Sequence, residues 1–145
     1  MNIVDANILL SAIRSRNGAS NMLVREMLTG KIPFAVSPVV ALEYEDVLKR
    51  KGILGDNPWI KGDEIDLLLD AVFQKAKLVS PWFRFRPFLN DPNDDLYIEC
   101  GLAAGATTII TSDRHFNIPE VLGFGLSVIK AGPFIANYAK RNQPT

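Results

Sequence analysis

Asp5 follows the apolar pair Ile3-Val4 near the start of the chain, and Asp113 follows the β-branched run Thr108-Ile109-Ile110-Thr111. A short apolar run halted by an acid reads as a buried strand with a carboxylate at its C-terminal end. In open α/β sheets, that edge is where ligands bind. Two helical acids are positioned to join the pair. Glu43 stands three residues after Val40 and four before Val47, along the apolar stripe of a helix opened by Ser37-Pro38. Asp95 closes the run Asn90-Asp91-Pro92-Asn93-Asp94-Asp95, which opens another helix. An unpaired buried carboxylate costs several kcal/mol, so a crevice that collects such groups calls for a cation. Hard oxygen ligands select Mg²⁺ or Mn²⁺. A cation so held acidifies water and neutralises charge building on a phosphoryl group. The chemistry these residues permit is metal-dependent phosphodiester hydrolysis.

Each acid also has a plainer reading. Asp113 suits an N-cap for the turn Arg114 to Pro119, Asp91 and Asp94 suit helix caps, and Glu43 suits a Lys or Arg partner from a neighbouring element. Other chemistries lack their residues. The single histidine, His115, has no Ser or Cys nucleophile elbow beside it. No G-x-x-x-x-G-K-[ST] loop occurs, and no G-x-G-x-x-G follows the first strand.

The elements that must carry the acids alternate strand and helix. Ile8, Leu9, Ala12 and Ile13 repeat at helical spacing after Asp5, and a second helix carries Leu23, Val24, Met27 and Leu28, with Ser20 as its cap and Gly30 as its stop. Phe34-Ala35-Val36 predicts a second strand, and Val39, Val40, Tyr44, Val47 and Leu48 form the stripe of the helix that bears Glu43. A Gly/Pro-punctuated loop, Lys51 to Gly62, precedes an amphipathic helix from Asp63 to about Lys77; Leu78-Val79 follows as a brief strand. After the strand at 108–111, a final strand at Leu126 to Ile129 leads through Gly132-Pro133 to a last helix. Right-handed crossovers make this a three-layer α/β/α sandwich on a mostly parallel sheet of about five strands.

Between the third strand and the Asp95 helix lies Pro81-Trp82-Phe83-Arg84-Phe85-Arg86-Pro87-Phe88. If extended, it puts Trp82, Arg84 and Arg86 on one face, a platform for stacking a base and contacting phosphate. A Pro-bounded loop plugging the core accounts for it equally well.

Length and composition fit one domain spanning residues 1–145, with 48% hydrophobic and 22% charged residues. Sixteen basic residues balance sixteen acidic ones, so net charge does not advertise a nucleic-acid binder; a carboxylate-rich site would itself cancel a basic surface. The lone Cys100 excludes an internal disulfide framework and fits a reducing, cytoplasmic setting. No apolar run reaches the roughly 20 residues of a membrane span, and the chain opens on a strand rather than on a signal sequence.

Four signatures in order resemble the PIN-domain family, and most closely the toxin-like members of prokaryotic type II toxin–antitoxin systems. They are Asp5-x-Asn7 after the first strand, Glu43 in the Ser37-Pro38…Leu42-Glu43-Tyr44 helix, Asp91-Pro92-x-Asp94-Asp95, and Thr111-Ser112-Asp113-Arg114. The resemblance implies a Mg²⁺- or Mn²⁺-dependent ribonuclease in which Asp5, Glu43, Asp95 and Asp113 surround the metal. It further implies that Asn7 braces the first carboxylate and that Thr111 orients the last loop; Asp94 adjoins Asp95, and the sequence does not separate the two as the helix acid. Arg84, Arg86 and Arg114 become candidate phosphate contacts. RNA as substrate, a small antitoxin as inhibitor, and a homodimer complete the expectation. Two alternatives stand beside it: a catalytically degenerate PIN-fold binding or scaffold protein, and a Mg²⁺-dependent phosphatase or phospho-acceptor domain, which also places an Asp after its first strand.

Overall fold

The computed structural model describes residues 1–50, 52–54, 60, 62–81 and 95–142. Among the described residues, five short strands alternate with helices: β1 Asn2–Val4, β2 Ala35–Val36, β3 Lys77–Leu78, β4 Thr108–Ile110 and β5 Ser127–Ile129. All described pairings are parallel. β4 lies between β1 and β5, with Ile3 opposite Ile109 and Ile109 opposite Val128. β2 pairs with β3. A bridge from Asn2 to Phe34 brings β2 beside the free edge of β1. Both the backbone and side-chain N–H groups of Asn2 donate to the Pro33 carbonyl there, at 3.3 and 2.8 Å. The order across the fold is therefore β3-β2-β1-β4-β5. Ile3, Val4, Ile109 and Ile110 are fully buried, as strands covered on both faces require.

The helices among the described residues are α1 Ala6–Arg14, α2 Ala19–Leu28, α3 Pro38–Leu48, α4 Ile65–Lys75, α5 Asp95–Ala104, α6 Pro119–Gly123 and α7 Ala131–Arg141. The chain runs outward from β1 through β2 to β3, then returns past β1 to β4 and β5. With right-handed crossovers, the connections running outward and those returning place their helices on opposite faces, and α7, which follows the last strand, packs back against α2; this is the layered α/β arrangement expected. α5 packs over β1, β2 and β4. It approaches closely because Gly101 faces the sheet: a Cβ there would already touch Ile3 and Leu126 at 3.4 Å. Asn21, buried in α2, donates to the Ala12 carbonyl and accepts from Arg25, fastening α2 to α1. No described helix is long and apolar enough to cross a membrane.

Local chemistry explains most boundaries. Ser37 caps α3, its hydroxyl accepting from the Val40 N–H, and Pro38 takes the first helical position. Gly30 and Gly105 end α2 and α5 with φ of 80° and 65°, the left-handed conformation open to glycine. Three expectations need correction. α2 starts two residues earlier than a Ser20 cap requires, because Gly18 is the extended residue before it and offers no side-chain cap. α7 begins at Ala131, and Pro133 sits in its first turn, where a missing N–H breaks no bond. Val39 is half-exposed rather than in the stripe; the buried face of α3 is Val40, Tyr44, Val47 and Leu48.

Candidate active site

The sheet order makes β1 and β4 neighbours although most of the chain separates them, and the direction of winding reverses between them. A crevice opens at such a switch point, outside the carboxyl ends of the strands. Asp5 and Thr111 stand there. Each extends the ladder by one hydrogen bond, from the Asp5 N–H to Ile110 O at 3.0 Å and from the Thr111 N–H to Ile129 O at 2.9 Å. Backbone pairing thus fixes where both side chains emerge.

Asp5 is 4% exposed. Its Oδ2 accepts from the Thr111 hydroxyl at 2.7 Å, and its Oδ1 from the Asn7 N–H at 3.3 Å, which also caps α1. The same Thr111 oxygen accepts from the Asp113 N–H at 3.0 Å. One hydroxyl therefore bridges the first carboxylate and the loop that carries the last. Asp113 Oδ1 in turn accepts from the His115 N–H at 2.9 Å and lies 3.1 Å from His115 Nδ1. Asp113 does cap the turn Arg114–Phe116, as its plainer reading held, while remaining near enough for its charge to act on Asp5.

Electrostatics identifies Asp5 as the strained member. Burial pushes its carboxyl above the usual carboxylate range, and the negative charge of Asp113 pushes it further; hydrogen bonds from Thr111, Asn7 and Tyr97 pull it back. Among the described residues, none of the groups acting on it is cationic.

Two buried tyrosines, expected only as core, fasten the helical acids to this point. The Tyr44 hydroxyl, next in sequence to Glu43, donates to the carbonyl of Val4. The Tyr97 hydroxyl, two residues after Asp95, accepts from the N–H of Ala6 at 3.0 Å. The backbone groups flanking Asp5 are thus held by the helices that bear the two other acids. Burial, joined by the charges of Asp5 and Glu43, pushes the Tyr97 phenol far above its ordinary value, so it stays protonated and can donate to Asp5. Its ring meets Phe116, in the turn after Asp113, edge-on at 6.1 Å. Sequence reasoning missed both tyrosines; the available signal was an acid one or two positions before a Tyr at the start of an apolar stripe.

Of the expected quartet, the structure brings Asp5 and Asp113 together through Thr111. Glu43, half-buried, lies near enough for its charge to act on Tyr97, and Asp95 is buried where α5 opens. Among the described residues, no group of three or more His, Cys, Asp or Glu side chains is spaced to hold a metal ion. The donors fit a hard divalent cation in kind, being carboxylate oxygens. Asn7 braces Asp5 with its backbone N–H, its side chain being exposed. Arg114 is exposed beside Asp113. Arg84, Arg86 and Asp94, like Trp82 and Asp91, lie outside the described residues. Cys100 is fully buried, and burial pushes its thiol up to about 11, against a hydrogen bond from Ser37 that lowers it; it is inert. A larger hollow of about 380 Å³ opens at the opposite edge of the sheet, by Asn2, Lys31, Thr107 and Arg141, away from the acids.

Residues 2–115 match a family profile described as PIN domain, a stretch that runs from β1 through the turn after Asp113 and takes in all four acids. No curated protein and no solved structure matches the chain.

Proposed function

The chain belongs to the PIN-domain family, a family of nucleases, and from that premise we propose that it is a divalent-metal-dependent ribonuclease. The observation that carries the reading is the buried Asp5 carboxylate, forced upward in pKa by desolvation and by Asp113 at a sheet switch point, with no cationic side chain acting on it among the described residues. Asp5, Glu43, Asp95 and Asp113 are the residues that would hold Mg²⁺ or Mn²⁺, with Asp94, next to Asp95 in sequence, as the alternative to it. The bound ion supplies an acidified water and neutralisation of phosphoryl charge. The protein's own part is positioning: Thr111 and the Asn7 N–H fix the Asp5 oxygens, and Tyr44 and Tyr97 fix the backbone on either side of Asp5. Arg114, and Arg84 and Arg86 with it, would contact phosphates by charge-assisted hydrogen bonds.

The same reading takes residues 1–145 as a single domain, acting in the cytoplasm as a homodimer and restrained by a small antitoxin. Its support is the toxin-like order of the four signatures, and a short partner in the neighbouring reading frame is what it expects. A nuclease assay in Mn²⁺ tests the core claim. Wild type cleaves RNA, and Asp5→Asn does not; equal cleavage by both defeats the assignment. One observation favours a second reading, a PIN fold that binds without cutting: no three-acid group is assembled among the described residues. Absence of both Mn²⁺ binding and cleavage in the wild type would favour it.

A further inference from the structure

Beside the acids, the ends of β4 and β5 enclose a hollow of about 130 Å³, lined among others by Ser112, Asp113, Arg114, Asn117, Ile129 and Lys130. Its lining carries charge of both signs. Asp113, on the side of the catalytic acids, is the carboxylate of the lining; Arg114 and Lys130 are its cations, one from the turn after β4 and one from the end of β5. Both cations are exposed, and among the described residues neither makes an ion pair or a side-chain hydrogen bond. Lys130 is also the N-cap of the eleven-residue helix α7, which has no side-chain cap, so the positive end of that helix opens at the same rim. Ser112 and Asn117 add neutral donors.

The hollow is well below the roughly 300–1,000 Å³ of pockets that swallow a whole small-molecule ligand. It suits a compact anion. With a carboxylate of the candidate metal site and two cations in its lining, neither cation ion-paired among the described residues, it is placed to take a group one unit along the strand from the bond being cut.

We propose that this hollow is a subsite for a backbone phosphate of single-stranded RNA, next to the scissile phosphate, with Arg114 and Lys130 as its charge partners. The inference rests on the ribonuclease reading and adds Lys130, Ser112 and Asn117 to the substrate contacts. Because the contact is made to phosphate, it sets affinity and register rather than base preference.

The test uses the full chain and a short, labelled single-stranded oligoribonucleotide. Binding is measured without divalent metal between about 50 and 200 mM salt, and cleavage is measured in Mn²⁺. Lys130→Gln and Arg114→Gln are compared with Lys140→Gln, at the far end of α7, and circular dichroism checks that each variant is folded. Each loss of a phosphate contact flattens the slope of log affinity against log salt by about 0.7. Lys130→Gln is expected to do so and to raise KM several-fold, with kcat within about twofold of wild type; Lys140→Gln is expected to change neither. A wild type that cleaves while Lys130→Gln matches Lys140→Gln in slope and KM overturns the subsite alone. A wild type that binds but never cleaves, with a slope that Lys130→Gln flattens and Lys140→Gln does not, overturns the nuclease reading and leaves the hollow as a phosphate contact for bound RNA. No RNA binding by the wild type overturns both.

Discussion

Replacing Thr111 with Val tests whether one hydroxyl holds the two strand-end acids together. Val keeps the branched shape of Thr in its buried place and removes only the oxygen. Two bonds go with it. The first is the 2.7 Å donation to the Asp5 carboxylate, and hydrogen bonds to charged groups contribute about 1.5–3 kcal/mol. The second is the acceptor for the Asp113 N–H at 3.0 Å, a part-buried neutral bond of about 1 kcal/mol. Together the loss is about 3 kcal/mol at neutral pH. In a chain of this length that lowers the melting temperature by about 6–12 °C. The deficit narrows at low pH, because a protonated Asp5 no longer depends on a donor at that oxygen. Thr111→Ser retains the hydroxyl and recovers most of the loss. Thermal unfolding in EDTA at neutral and acid pH provides the measurement. The reasoning fails if Val melts within about 0.5 kcal/mol of wild type, the ordinary range for an inconsequential change, or if Ser is as damaging as Val.

Asp5→Asn bears on pH. The folded pKa of Asp5 lies above its unfolded value, so the stabilising contribution is complete below the unfolded pKa and is lost as pH rises through the folded one. An ionised Asp5 therefore burdens the metal-free fold at neutral pH. The neutral amide is predicted to raise the metal-free melting temperature there and to flatten its pH dependence, and to lose the stabilisation that Mn²⁺ gives wild type; a lower melting temperature at neutral pH contradicts this. Tyr97→Phe removes the acceptor for the Ala6 N–H and a donor to Asp5. A loss of about 1–3 kcal/mol in denaturant unfolding is expected, with weaker Mn²⁺ binding by titration calorimetry; unchanged Mn²⁺ affinity would confine Tyr97 to packing. Ser37→Ala deletes the α3 cap and is expected to cost about 1 kcal/mol by urea unfolding, without altering Mn²⁺ affinity.

What sequence reveals and what it conceals here follow from the range of each interaction. Asp5 and Asp113 are legible because an apolar run cut off by an acid is a local pattern, and parallel strands leave their ends on one edge. Ser37-Pro38 is legible because a cap is satisfied within four residues. Val39 is not, since two adjacent valines differ by about 100° around the helix and only the packed neighbour decides which turns inward. Ser20 misleads because Gly18 can also end an extended segment, and backbone geometry chose it. Tyr44 and Tyr97 are the instructive omissions. Within an apolar stripe a tyrosine reads as core, and that is where their rings lie. Their hydroxyls reach Val4 and Ala6 across separations of 40 and 91 residues, and no local pattern encodes such a partner. The parallel α/β arrangement was readable from alternation alone, whereas the bridge that sets β2 beside β1 depends on Asn2 and Pro33 meeting in space.

The bond between Thr111 and Asp5 spans 106 residues of chain. On a ribosome, Asp5 must wait for Thr111, a delay of roughly 5–20 s at ordinary elongation rates. Until then β1 has no β4 to lie against, and the first carboxylate has neither its hydroxyl partner nor its companion acid. A site of this nuclease family is thereby kept blunt until the segment that builds β4 has been made.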